Sequence, residues 1–256
     1  MRRFFVEKIE DQNGIYLIKG PEARHILKVL RMGPGDRLIL MDGQGDHYQV
    51  RIETVKRQEL SVIIEEKLPP PSPSPLSIII AQAVLKSKAM DMLIQKCSEL
   101  GVEHVIPFFS QRTVFNSSGD RLENKGRHWL EISRNAAKQS GRQRPAEIGR
   151  PLEFNKLLEE YRDKDTLKII LWEGEKTRDL KGLLRNSSPM KNVLGLIGPE
   201  GGFTDKEIAS AMASGFIPVS LGHRILRAET AGIALTAIIQ YEWGDLGSNI
   251  TKLGHN

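Results

Sequence analysis

Residues 198–204 read GPEGGFT and residues 221–231 read LGHRILRAETA, and the reading of these two stretches decides the fold. Each follows a short apolar run, NVLGLIG (192–198) or FIPVSLG (216–222), and each opens into a helix-like segment. Thr204 and Glu207 have the T-x-x-E spacing of a capping box, in which the two side chains satisfy backbone N–H groups at a helix start. Strand, glycine turn and helix in alternation are the marks of an open parallel α/β sheet, whose ligand crevice lies at the carboxyl ends of the strands. Both turns fall at such ends and can wrap a nucleotide-like ligand in backbone amides and carbonyls. GPEGG lacks the Lys-Ser or Lys-Thr of a phosphate loop and does not match G-x-G-x-x-G. Alone it reads equally well as a tight turn. Paired with a second glycine turn after the next strand, it points to a ligand site.

The alternation extends upstream. LSIIIAQAVL (76–85) is continuously apolar, as a parallel strand buried on both faces should be, and HVIPFF (104–109) and LKIILWE (167–173) are further strands. Ser87 is placed to cap a helix running to Leu100, with Gly101 ending it. Residues 69–75, PPPSPSP, can join neither helix nor ladder and read as a stiff linker. Before it, DRLILMDG (36–43), HYQVRIETV (47–55) and ELSVIIEE (59–66) look like strands. One helix-like insertion, PEARHILKVLRMG (21–33), has proline in its first turn and closes near Gly33 and Pro34. The expected organisation is a small β-barrel-type domain over 1–68, an α/β domain over 76–246 and a polar tail over 247–256.

Composition narrows the class. Hydrophobic residues make up 39% and charged residues 27% of 256, and no apolar run approaches the roughly 20 residues that span a bilayer. MRRFFVEKIED turns acidic too soon for a secretory signal, and a lone cysteine fits a reducing cytoplasm. A cytoplasmic, soluble protein with no membrane partner is expected. The net charge is +5, with a sequence pI near 9.3. Residues 121–150 hold eight Lys/Arg against three acids, an excess equal to that of the whole chain. Such a local basic patch suggests a polyanion, usually RNA or DNA.

Single residues carry less. Met90, Leu93, Ile94, Cys97 and Leu100 share one helical face, so Cys97 reads as core. Arg24, Lys28 and Arg31 form a stripe with His25 beside it, while Ile26, Leu27 and Leu30 turn inward. A solvated charged face explains that stripe as well as a binding face does. Arg127, Arg134 and Lys138 make a second stripe over 127–140, which Arg142 and Arg144 extend past Gly141; its density favours RNA contact. The six histidines show no metal-ligand spacing, and no metal is expected.

GPEGGFTDKE followed by LGHRILRAETA resembles the C-terminal signature of the SPOUT methyltransferases. More closely, the chain resembles the RsmE family, the 16S rRNA uridine N3 methyltransferases. The likeness continues through RRFFV (2–6), HILKVLRMGPGD (25–36), QKCSELGV (95–102), SQRTV (110–114) and RNAAKQSGR (134–142), in order over nearly the whole chain. It implies a trefoil-knotted C-terminal domain, a PUA-like N-terminal barrel that binds RNA, and a homodimer acting on 16S rRNA or the 30S subunit. S-adenosylmethionine is the implied cofactor. By motif, Gly198, Glu200, Gly201 and Gly202 line one cofactor loop, and Leu221, Gly222, Ile225, Leu226 and Arg227 form the other. Leu171, Trp172 and Glu173 provide the third wall. With the likeness in hand, Arg2, Arg3, Arg24, His25, Lys28 and Arg31 read as RNA contacts.

A sulfonium methyl is already activated, so the enzyme's main task is alignment. Uracil N3 must lose a proton before or during attack, which calls for a base or for stabilisation of the anion forming on the ring. Arg227 suits the second role because a guanidinium donates in a fixed fork and stays charged. Glu229 is a base or an orienter, or simply a first-turn carboxylate favoured by its helix dipole. Glu200 either braces its turn or holds the cofactor's amino group, and Trp172 is packing or an adenine neighbour. Two other readings stand beside this one. One is a non-catalytic RNA-binding assembly factor, and the other a SPOUT methyltransferase acting on another RNA position.

Overall fold

The protein is represented by a computed structural model that describes residues 1–247 apart from 7, 8, 10–13, 44, 70–73, 115–119, 163 and 164, and excludes the side chains of Ser87, Asp120 and Arg121. Most of the proline-rich stretch and the tail from residue 248 fall outside it. The chain divides into two compact units, Met1–Ser72 with Arg134–Pro145, and Pro73–Ser133 with Ala146–Asn256.

The first unit is a five-stranded sheet. Its elements are β1 (Arg3–Phe5), β2 (Ile15–Lys19), α1 (Gly20–Arg24), β3 (Arg37–Met41), β4 (His47–Val55) and β5 (Glu59–Leu68). The order is β1-β3-β4-β5-β2, with β1 parallel to β3 and the other pairs antiparallel. Buried residues alternate along the strands, Leu38 and Leu40, Val50 and Ile52, Leu60 and Val62, as a sheet with one covered face requires. Register shifts at Gln49/Val50 and Ile52/Thr54 add local twist to β4. The expected helix over 21–33 is shorter and less regular than its sequence suggests. α1 passes into a π-helical turn, His25–Val29, where Leu30 N–H reaches back to the His25 carbonyl at 3.0 Å. Met32 N–H then reaches the Ile26 carbonyl and Arg31 takes φ 54, which ends the helix before Gly33. Ile26 is fully buried, and Leu27 and Leu30 pack against the same core.

The second unit is the anticipated parallel α/β sheet. In chain order come β6 (Ser77–Ala83), α2 (Ser87–Glu99), β7 (His104–Phe109), α3 (Asp120–Ser140), β8 (Glu147–Ile148), β9 (Leu152–Glu153) and α4 (Phe154–Glu160). β10 (Leu167–Leu171), α5 (Leu180–Asn186), β11 (Asn192–Ile197), α6 (Asp205–Ala213), β12 (Ile217–Val219) and α7 (Ala228–Trp243) complete it. The order is β12-β10-β11-β6-β7-β8, with β9 also on β7, and every pair is parallel. The last turns of α3 belong to the first unit.

Close approach fixes α7. A Cβ on Gly195 in β11 would lie 2.4 Å from Leu235 Cδ2, and one on Gly232 would lie 2.7 Å from Leu93 Cδ1. Only glycine lets the helix settle so near the strand and α2. Cys97 is fully buried, and burial, offset in part by the Thr236 hydroxyl 3.6 Å away, pushes its thiol up to about 12. It is core, as its helical face implied. The expected Ser87 cap is corrected: Lys86 is the N-cap of α2, with no side-chain cap bond, and Ser87 is the first helical residue.

The Thr204–Glu207 capping box is present. Burial pushes the Glu207 carboxyl up, but bonds from the backbone N–H groups of Thr204 and Gln111, each at 2.9 Å, and from the Thr204 hydroxyl at 3.0 Å outweigh it, so its pKa lies below the ordinary value. A depressed carboxylate stabilises the fold above its unfolded pKa, and that contribution is lost as pH falls through the folded value. Glu207→Ala should therefore cost about 2 kcal/mol at pH 7 in urea unfolding. The gap to wild type should narrow on acidification.

Candidate functional site

At the carboxyl ends of β10, β11 and β12 the second unit forms a cavity of about 970 Å³. Leu171, Trp172 and Glu173 line it from β10. Gly198, Glu200 and Gly202 line it from β11, and Leu221, Gly222, Ile225, Leu226, Arg227 and Glu229 from β12. The sheet order explains the convergence. β10 lies between β11 and β12, so the turns leaving three adjacent strands meet at one edge.

The first turn is tightly built. Gly202 takes φ +68 and donates to the Pro199 carbonyl at 2.9 Å. A Cβ on Gly198 would sit 3.1 Å from the Phe203 ring, which stacks on Phe108 with centroids 6.4 Å apart. Glu200 Oε1 accepts the Lys86 backbone N–H at 3.3 Å, which makes Glu200 a brace between the turn and the start of α2. Gly201 differs from its expected place on the cavity wall. Its carbonyl accepts from Arg112 Nη1 at 3.0 Å, and a Cβ on it would meet the Arg112 side chain at 3.4 Å. With Gln111 held by Glu207, the 110–113 loop buttresses the turn from outside.

In the second turn Gly222 takes φ +100, and Ile225 is 83% exposed. Arg227 is the N-cap of α7, its backbone extended and its side chain exposed with no capping bond. Glu229 is half-buried in the first turn of that helix, where a carboxylate is favoured by the dipole. On the third wall, the backbone N–H of Trp172 donates to the Val219 carbonyl at 3.1 Å, and the indole ring lies where a Cβ on Gly174 would be 2.5 Å away. Trp172 thus packs and faces the cavity at once.

A fourth wall escapes the sequence reading: Lys86, Lys88, Ala89 and Met92, which follow β6. The signal was the apolar run 76–85, which marks a parallel strand whose carboxyl end opens on the same edge; its place beside β11 is set by the sheet order. Arg112 gave no such signal, since only the folded 110–113 loop brings it to Gly201. Among the described residues no three His, Cys, Asp or Glu side chains converge to hold a metal ion.

The cations expected at RNA are distributed as follows. In the first unit Arg2, Arg3, Arg24, His25, Lys28 and Arg31 are exposed, with the His25 ring edge-on to Phe4 at 5.9 Å. Also in that unit, the Arg3 guanidinium carbon would lie 3.3 Å from a Cβ on Gly141, and Arg144 Nε 3.6 Å from one on Gly45. Arg134 and Arg144 are exposed and Arg142 is half-buried. Lys138 stands differently from the stripe that spacing suggested: its Nζ contacts Glu22 Oε1 and lies 6.0 Å from the Phe5 ring centroid. The pairing leaves it half-buried and neutralised within the unit. In the second unit Arg127 is exposed and donates to Asn124 Oδ1 at 2.7 Å.

Comparison with known proteins agrees with this geometry. Residues 72–240 match the family model described as an RNA methyltransferase domain, and residues 18–65 match an RNA methyltransferase PUA domain. The chain is 34% identical to ribosomal RNA small subunit methyltransferase E of Mesomycoplasma hyopneumoniae over 92% of its own length and 97% of the relative's. It is 29% identical to the Bacillus subtilis protein of that name, over 94% and 97%. A crystal structure of ribosomal RNA small subunit methyltransferase E from Neisseria gonorrhoeae bound to S-adenosylmethionine superposes with a TM-score of 0.88 at 30% identity, covering 96% of this chain and 99% of that one.

Proposed function

We propose a function from one premise: the chain belongs to the ribosomal RNA small subunit methyltransferase E family. It is an S-adenosylmethionine-dependent methyltransferase that methylates N3 of a uridine in 16S rRNA. The observation that carries this reading is the cavity where the turns after β10, β11 and β12 meet.

The cavity fits the cofactor. Its volume, about 970 Å³, is at the upper end of small-molecule sites, roughly 300–1,000 Å³. Its lining mixes glycine backbone, the apolar side chains of Leu171, Ile197 and Leu226, and groups of both charges, as a cationic sulfonium joined to an amino acid and a flat base demands. When bound, S-adenosylmethionine supplies a methyl activated by its sulfonium. The glycine turns hold and orient, with Glu200 locking the first of them to α2. Arg227 stabilises the negative charge that develops on the uracil as its N3 proton leaves. Glu229, two residues on, accepts that proton or orients the base.

The exposed cations of the first unit, together with Arg127, contact the RNA backbone, and the protein acts as a cytoplasmic homodimer on rRNA or the assembled 30S subunit. The trefoil crossing of the resembled family belongs to the same reading. Transfer of tritiated methyl from S-adenosylmethionine into small subunits, compared with naked 16S rRNA, tests it. Label at uracil N3 is expected. Label at a carbon or a ribose oxygen would point to another RNA methylation, and absence of cofactor binding at millimolar concentration to a non-catalytic assembly factor.

A further inference from the structure

Beneath the first glycine turn lies a polar side chain that core packing does not require. Gln82 is fully buried and is the register partner of Ile197, the last pair of the β6–β11 ladder. Beyond that pair β11 leaves the sheet for the GPEGG turn. There Gln82 Nε2 reaches three carbonyls, those of Gly198 at 3.0 Å, Ala83 at 3.1 Å and Ile197 at 3.4 Å. Its Oε1 has no partner among the described residues and would lie 3.5 Å from a Cβ on Gly232 of α7.

Leaving an amide oxygen unpaired in a dry core opposes folding, and Ile78, Ile80, Leu93 and Leu235 of the surrounding cluster would welcome a hydrophobe. What an apolar side chain could not do is direct the carbonyls of Ile197 and Gly198. A peptide unit is planar, so holding the Ile197 carbonyl also sets the direction of the Gly198 N–H, at a residue that lines the cavity. We propose that Gln82 is a positioning residue that presets the first turn for the cofactor, a role resting on the cofactor reading above. It touches no ligand and acts through the backbone it holds.

Titration calorimetry with S-adenosylmethionine tests this on the full-length protein. Gln82→Met keeps the volume and removes the donor. The folded variant should bind about tenfold more weakly, the equivalent of one hydrogen bond, with KM for the cofactor raised and kcat at saturation little changed. Leu184→Ala, a buried change in α5 away from the cavity, should lower thermal stability as much without weakening binding. Gln82→Glu adds a signature that packing alone would not produce. Its buried carboxyl is a donor while protonated, so affinity should be close to wild type at low pH and fall as pH rises, unlike wild type. A folded Gln82→Met with unchanged affinity overturns the proposal, as does a Leu184→Ala that loses affinity equally. If Gln82→Met does not fold, a Gln82→Glu profile parallel to wild type overturns it. Failure of the wild type itself to bind removes the cofactor reading, and this proposal with it.

Discussion

Arg227→Ala should leave the protein folded and reduce kcat for methyl transfer by about 100- to 1,000-fold, the usual loss when one preorganised donor to a developing anion is removed. Stability should hardly change, because the Arg227 side chain is exposed and makes no capping bond to α7. Arg227→Lys should recover only part of the rate, since an ammonium restores charge without the planar fork. Circular dichroism and melting temperature establish the fold, and single-turnover methyl transfer reads the chemistry. A variant with wild-type turnover would take Arg227 out of the mechanism and leave its loop a purely cofactor-holding element.

Gly195→Val should be strongly destabilising, costing about 3 kcal/mol or more in urea unfolding. Its first added carbon would lie 2.4 Å from Leu235 Cδ2 and 3.2 Å from Ile80 Cδ1, both side chains fully buried. Relief requires Leu235 and Ile80 to repack within a full core or α7 to lift from β11, and α7 begins at the residues that line the cavity. Cofactor affinity should therefore fall with stability. Gly126→Ala on α3 is the contrast. Nothing lies within 4 Å of its added Cβ, so it should stabilise by roughly 0.5–1 kcal/mol. A well-folded Gly195→Val that binds the cofactor normally would show that the helix has room to move.

The long elements were legible because each announces itself locally. Continuous apolar runs gave β6, β7, β10 and β11, and period-two alternation gave β3, β4 and β5. The capping box at Thr204 and Glu207 depends on four consecutive residues and was found where they predict it. The sequence reading missed β1, β2, β8 and β9, which are two to five residues long and owe their state to partners far away in the chain. β1, for instance, pairs Arg3 with Ile39. The same limit applies to side chains. Nothing near Lys138 in sequence reveals Glu22, and spacing alone put that lysine on an open stripe. At the cavity, glycine turns marked two of the walls and the family resemblance supplied the third, while the wall after β6 has no glycine to flag it.

The discontinuity of the first unit bears on how the chain can fold as it is made. Residues 1–72 supply every strand of that sheet, yet Glu22 finds Lys138 only when the segment 134–145 arrives. Domains of a nascent chain generally form as units from the amino end. Here the leading module cannot be completed until the ribosome has released more than half of the polypeptide, so a fragment cut at the proline-rich stretch would be an unfinished object, and a useful truncation must splice the later segment back in.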